Sequence, residues 1–216
     1  FMEFLTDRLM IPLCALGACI FTGWIWKPAN AVHEIELDGK NELKSGYYRA
    51  GLEKNTSAGT LTLKDDSKEA GSLTATGGNN AAGIGGGFQG NGENITITGG
   101  TVNATSNDGA GIGGGAEGSG QNIKITGGTV NASGWAGAGI GGGVNCSGSH
   151  VTVSGAAQVT AIAGKGDRWD GAGATIGSGS GGTASHLSSP TNNTTLAATP
   201  GGRPGRRGEG RPAPHS

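Results

Sequence analysis

The sequence predicts an all-β fold, a parallel β-helix. Three observations carry that expectation: a phrase that returns at a fixed interval, apolar residues alternating with polar ones inside it, and glycine at 47 of 216 positions. Ala81-Ala-Gly-Ile-Gly-Gly-Gly87 returns as Gly109-Ala-Gly-Ile-Gly-Gly-Gly115 and as Gly137-Ala-Gly-Ile-Gly-Gly-Gly143, so Ile84, Ile112 and Ile140 stand 28 residues apart. Asn94-Ile-Thr-Ile-Thr-Gly-Gly-Thr-Val-Asn-Ala-Thr105 returns at the same interval as Asn122-Ile-Lys-Ile-Thr-Gly-Gly-Thr-Val-Asn-Ala-Ser133. A fixed period of this size is the mark of a solenoid, whose units bury their apolar faces only by stacking.

Each repeat holds three short segments of period two: Ala110 with Ile112, Ile123 with Ile125, and Val130 with Ala132. Residues i and i+2 of a strand face one way, so each pair points to one side. Glycines separate the segments, as bends between strands require. Three strands and three bends make one coil of about 28 residues. No 3.6-residue periodicity runs through the repeats, which excludes a helical solenoid. Glycine does not fall on every third residue, which excludes collagen. A net charge of −1 gives no electrostatic footprint for nucleic acid.

Before the regular repeats, residues 1–31 form a separate segment. Leu9–Trp26 is a run of 18 residues without a charge, flanked by Trp24 and Trp26, and predicts an apolar helix at the lower limit for spanning a membrane. A signal peptide is the competing reading: Ala29-Asn30-Ala31 fits a cleavage site, but Glu3 and Asp7 precede the run where positive charge is expected. Residues 32–80 read as degenerate early coils. Glu34-Ile-Glu-Leu37 and Asn41-Glu-Leu-Lys-Ser45 supply two strands of an incomplete first coil, and Ala50-Gly-Leu52, Thr60-Leu-Thr-Leu63 and Gly71-Ser-Leu-Thr-Ala-Thr76 supply the next. Lys64–Glu69 contains no apolar residue and predicts a solvated loop.

Beyond Gly137 the beat loosens. Val159 and Ala161 arrive one residue late, as a bulge would cause. An insertion at 164–170 delays the next isoleucine to Ile176, and Ser185-His-Leu187 echoes Ser149-His-Val151 at the start of a fifth coil. The coil is expected to end at Pro190, leaving 188–216 as a disordered Gly/Pro/Arg tail. The solenoid thus spans 32–187, and the lack of a cap on its last coil suggests that the native C-terminus has been lost.

Two stretches resemble known families. Phe1-Met-Glu-Phe-Leu-Thr-Asp-Arg-Leu-Met-Ile-Pro-Leu13 with Gly23-Trp-Ile-Trp-Lys-Pro28 resembles a late transmembrane helix of bacterial neurotransmitter:sodium symporters, over about residues 1–36. The substrate and sodium sites of that family lie on earlier helices, so the likeness transfers no transport residue. The repeat phrases of 32–187 resemble Gly-rich tandem repeats of predicted Firmicutes cell-surface proteins. That likeness implies adhesion or wall association and specifies no site.

Chemistry-bearing motifs are sparse. The Gly-Ile-Gly-Gly-Gly runs lack the Lys-Ser/Thr of a phosphate loop and recur three times, which marks them as structural. Cys14, Cys19 and Cys146 form no Cys-x-x-Cys, and His33, His150 and His186 are scattered, so neither a zinc site nor a cofactor is expected. Asp167, Arg168 and Asp170 form a charged knot in the insertion. Polysaccharide-active β-helix enzymes set carboxylates on a strand face instead, so a catalytic site is not expected. Lys124 and Ser154 interrupt the Thr-x-Thr face that an ice-binding lattice would need. Phe88, Trp135 and Trp169 fall in turns, where an exposed ring can stack on a sugar. The expectation is a non-enzymatic cell-surface scaffold or polysaccharide-binding module, held to a membrane through residues 9–26, with cell-wall or plant polysaccharide as partner. A transporter fragment joined to repeats, and a polysaccharide-active enzyme, are the alternatives.

Overall fold

A computed structural model describes residues 32–54, 59–67, 70–164, 166, 172–188 and 195–199. The apolar run 9–26, the charged knot Asp167, Arg168 and Asp170, and the tail from residue 200 lie outside them, as does nearly all of the symporter-like stretch. Among the described residues every regular element is a strand, and no helix is long and apolar enough to cross a membrane.

The strands form three parallel sheets. The first holds β1 (Val32–Glu36), β4 (Thr60–Lys64), β7 (Gly92–Ile97), β10 (Gly120–Ile125), β13 (Gly148–Val153) and β16 (Ala184–Ser185). The second holds β2 (Lys40–Lys44), β5 (Ser72–Thr76), β8 (Thr101–Ser106), β11 (Thr129–Gly134), β14 (Gln158–Ala163) and β17 (Thr195–Thr199). The third is a column of two-residue strands: β3 (Leu52–Glu53), β6 (Ile84–Gly85), β9 (Ile112–Gly113), β12 (Ile140–Gly141) and β15 (Ile176–Gly177). Chain order cycles through the sheets, so each passage is one coil of a β-helix.

The columns expected from the period are present. Ile84, Ile112, Ile140 and Ile176 pair in succession. So do Leu61, Ile95, Ile123 and Val151. Apart from Ile176, which packs partly buried against the core, these side chains are at most 5% exposed. Facing them from the second sheet is a narrower column, Ala75, Ala104, Ala132 and Ala161, also buried. Bulky residues on one wall opposite alanine on another fill the small triangular interior.

Glycine is indispensable in the third sheet. Gly113 has φ +136, and a Cβ there would lie 2.0 Å from the Gly141 oxygen of the next coil. The coil reverses sharply at this point, and the Ala110 amide closes the bend on the Gly114 carbonyl at 2.8 Å. In the first sheet the kink is set differently. Asn94, Asn122, His150 and His186 hold φ between 52 and 57 and drop out of the pairing that flanks them. Asparagine and histidine are among the residues that tolerate this left-handed conformation. The Asn122 amide donates to the Asn94 side-chain oxygen at 3.2 Å, and His150 stacks on His186 with centroids 4.6 Å apart. The histidines that looked scattered are therefore partly aligned, because positions 36 apart fall in one column.

Three other expectations change. The extra residue before Val159 is taken up in the turn at 154–157, and β14 itself pairs without a bulge from Gln158 to Ala163. The fifth coil does not end at Pro190: β17 pairs Thr195–Thr199 with Gln158–Ile162. A ready-made template of unpaired backbone on β14 accepts a strand of Thr, Leu and Ala that shows no obvious repeat phrase. Finally, the charged loop after β4 is anchored rather than merely solvated. The Asp65 carboxylate accepts from the Ser67 hydroxyl and the Gly71 amide, while Lys64 reaches Asp66, Glu34 and Glu36 at 3.0, 3.5 and 3.6 Å.

Candidate functional site

Leu43, Ile162 and Leu187 are exposed singly elsewhere, and the exposed aromatic rings gather at one corner. This is the corner where the chain leaves the second sheet, reverses through the third and returns to the first. The bend before the reversal and the turn after it run side by side there. The Phe88 amide donates to the Tyr48 carbonyl, the Ala116 amide to Asn80, and the Val144 amide to Asp108, at 2.9, 2.9 and 3.0 Å. Bends and turns of successive coils thus interlock into one continuous edge.

At the lower end of this edge three rings cluster. Tyr47 meets Tyr48 edge-on with centroids 4.8 Å apart, and Tyr48 tilts against Phe88 at 5.0 Å. All remain open to solvent, at 65%, 48% and 39% exposure. Beside them is a cleft of 480 Å³ lined by Tyr48, Arg49, Glu53, Phe88, Gln89 and Asn91 over a floor of glycine backbone. Its size lies within the range of about 300–1,000 Å³ typical of small-molecule clefts. The floor is held by close approach: a Cβ on Gly86 would lie 1.9 Å from the Gly90 oxygen.

The cleft is polar around its apolar wall. Arg49 pairs with Glu53 at 3.0 Å, so the cation lining the cleft is matched by a carboxylate. Gln89 donates to Glu117 at 3.0 Å, and Asn91 donates to Glu93 at 3.1 Å. Lys54 follows Glu53 and is buried; burial pushes its ammonium below the usual lysine range, and nearby Glu93 partly offsets that. On the next turns of the edge, burial pushes the Cys146 thiol up, and the Glu117 carboxylate adds to the shift. The arrangement offers flat ring faces with both donors and acceptors at their margins. Among the described residues no group of three His, Cys, Asp or Glu could hold a metal ion.

Two of the three aromatics expected from the sequence sit on this edge. Phe88 forms the cleft wall, and Trp135, 46% exposed, stands in the bend after β11 and covers Gly164 of the following coil. Trp169 lies outside the described residues. Sequence reasoning missed Tyr47, Tyr48, Arg49 and Glu53, which belong to a degenerate coil. A signal was there: Tyr47, Asn79, Asn107 and Trp135 each stand five residues before the apolar member of the third sheet, Leu52, Ile84, Ile112 and Ile140.

A family model described as a β-helix repeat matches residues 69–88, 95–116 and 123–144. The chain is a tandem-repeat β-helix. No curated protein and no solved structure matches it. Each matched stretch of this β-helix carries one copy of the third-sheet reversal and the turn that builds the edge.

Proposed function

We propose that this β-helix is a non-enzymatic polysaccharide-binding module of a bacterial cell surface, with the aromatic edge as its binding face. The observation that carries the reading is the cluster of Tyr47, Tyr48 and Phe88 beside a cleft with paired polar groups. Contiguous exposed apolar area on an otherwise Thr- and Asn-rich surface marks an interaction site. The likeness to Gly-rich repeats of Firmicutes surface proteins points the same way, and the apolar run 9–26 would supply the membrane attachment. A polysaccharide-active enzyme is less well supported, because the carboxylates in or beside the cleft are each engaged, Glu53 by Arg49, Glu93 by Asn91 and Glu117 by Gln89.

The test is retention of the full chain on insoluble plant and bacterial wall polysaccharides, beside Tyr48→Ala, Phe88→Ala, Trp135→Ala and Trp169→Ala. Binding by the parent chain, weakened by Phe88→Ala with an unchanged circular dichroism spectrum, supports the module. Absence of retention on every polymer sinks it and leaves a scaffold without a glycan ligand.

A further inference from the structure

We infer that the ligand is a neutral, extended β-linked polysaccharide lying parallel to the solenoid axis, held by two aromatic platforms with an asparagine track between them. This rests on the carbohydrate reading above and specifies its substrate class and its direction on the protein.

The geometry begins with one column. Tyr47, Asn79, Asn107 and Trp135 occupy the same place in four successive bends. The Asn79 amide donates to the Tyr47 hydroxyl at 3.1 Å, the Asp108 amide meets the Asn79 carbonyl at 3.4 Å, and the Trp135 amide donates to the Asn107 carbonyl at 2.9 Å. All four are exposed. Parallel strands stack about 4.8 Å apart, which puts Trp135 roughly 10 Å above the coil of Asn79 and Phe88, and roughly 14 Å above Tyr47. An extended β-1,4-linked pyranose chain presents equivalent ring faces every second sugar, at a spacing close to two coil rises. One sugar on Phe88 therefore leaves another of the same orientation level with Trp135, while Tyr48 extends the lower platform by one further rise.

Between the platforms the column offers Asn79 and Asn107. Each amide both donates and accepts, so each can meet a sugar hydroxyl in either role. Asn79 spends one of its two side-chain N–H groups on Tyr47 and its backbone carbonyl on Asp108, and its second N–H and side-chain oxygen remain for the ligand side. Such a row has no preference for a terminus and reads a polymer internally.

Charge selects among polymers. Along this edge Arg49 is matched by Glu53, and Glu117 adds a carboxylate beside Gln89. Among the described residues of the cleft, a polyuronate or a phosphate-bearing wall polymer would meet the Glu53 and Glu117 carboxylates with Arg49 already paired, whereas a neutral glucan, mannan or xylan meets hydrogen-bonding groups. Two platforms on one rigid body act as linked weak sites, so affinity grows with ligand length until both are occupied.

The experiment is calorimetric titration of the full chain with neutral β-1,4-linked oligosaccharides of two to eight sugars, and with polygalacturonate. Affinity should rise steeply between short oligomers, which occupy one platform, and those long enough to reach the second, and then level off. Phe88→Ala should weaken both short and long ligands. Trp135→Ala should weaken long ones alone, by about five- to tenfold, the effect of one lost stacking contact of roughly 1 kcal/mol. Equal affinity for all lengths, insensitivity of the longest oligomer to Trp135→Ala, or preference for polygalacturonate overturns the inference while leaving a carbohydrate-binding module intact. Failure to bind any of these and any wall polymer overturns both.

Discussion

Ile112→Ala is the perturbation that tests the stacked core most directly. Ile112 is wholly buried between Ile84 and Ile140 in the third-sheet column. The substitution removes three carbons, worth about 2.4 kcal/mol at roughly 0.8 kcal/mol each. A cavity contribution adds to this, because the walls next to the site are backbone and cannot collapse inward: a Cβ on Gly111 would already lie 2.6 Å from the Ser133 nitrogen. The expected loss is therefore about 3–4 kcal/mol, in the middle of the range of about 2–5 kcal/mol for such truncations. The loss should also be felt by both neighbouring coils, since a solenoid's stability is a sum of unit and interface contributions. Ile162→Ala is the matched control: the same residue change on the outer face of β14, where the side chain is 39% exposed, and expected to cost less than about 1 kcal/mol. Urea unfolding followed by circular dichroism reads both, with the slope checked for a shared transition. Hydrogen exchange should show amides of β9 and β12 losing protection in Ile112→Ala and keeping it in Ile162→Ala. Equal losses for the two variants, or an Ile112→Ala loss under about 1 kcal/mol, would refute the stacked interior.

Gly113→Ala should be more damaging than its size implies, because φ +136 is disfavoured for any side chain and the new Cβ would meet the Gly141 oxygen at 2.0 Å. We expect at least about 3 kcal/mol of destabilisation or failure to accumulate folded protein, against little change for Gly46→Ala, whose Cβ meets nothing within 4 Å. Cys146 should alkylate slowly. Its raised pKa, caused first by burial and then by Glu117, leaves less thiolate at any given pH than an unfolded chain has. In a Cys14→Ser, Cys19→Ser background, the rate of iodoacetamide labelling should reach half its maximum at a higher pH than in urea. Glu117→Gln should move that midpoint down; an unchanged or rising midpoint contradicts the electrostatic account.

The fold was legible because the code for a solenoid is simple. Ile84, Ile112 and Ile140 at one interval, each two residues beyond an alanine, state both the strand and its inward face. The degenerate coils obeyed the same rule once intervals other than 28 were admitted, as the pairing of Leu61 with Ile95 shows. What escaped was whatever depends on neighbours between coils. Phe88 and Trp135 were recognisable as exposed rings, but their common edge emerges only when the bend before the reversal is laid beside the turn after it. Tyr47 and Tyr48 were hidden by the irregular spacing of their coil, although the offset of Tyr47 from Leu52 repeats that of Trp135 from Ile140. β17 was missed for the opposite reason. Thr195–Thr199 carries no phrase of its own, and its pairing follows from the open edge of β14 rather than from any local pattern.

The irregular offsets have a further consequence. Leu52 pairs with Ile84, Ile84 with Ile112, and Ile140 with Ile176, across 32, 28 and 36 residues, yet the column does not shift. The added residues fall between paired strands rather than within them, so the third-sheet pairing is the same at each step. The molecule therefore behaves like a vernier whose graduations are coil rises. Removing one 28-residue unit between Phe88 and Trp135 would leave every remaining contact of its kind in place and draw the two rings together by a single step of about 4.8 Å. Distance between surface features is thus quantised by copy number, and gene-level gain or loss of a repeat could retune reach without the need to invent a new packing solution.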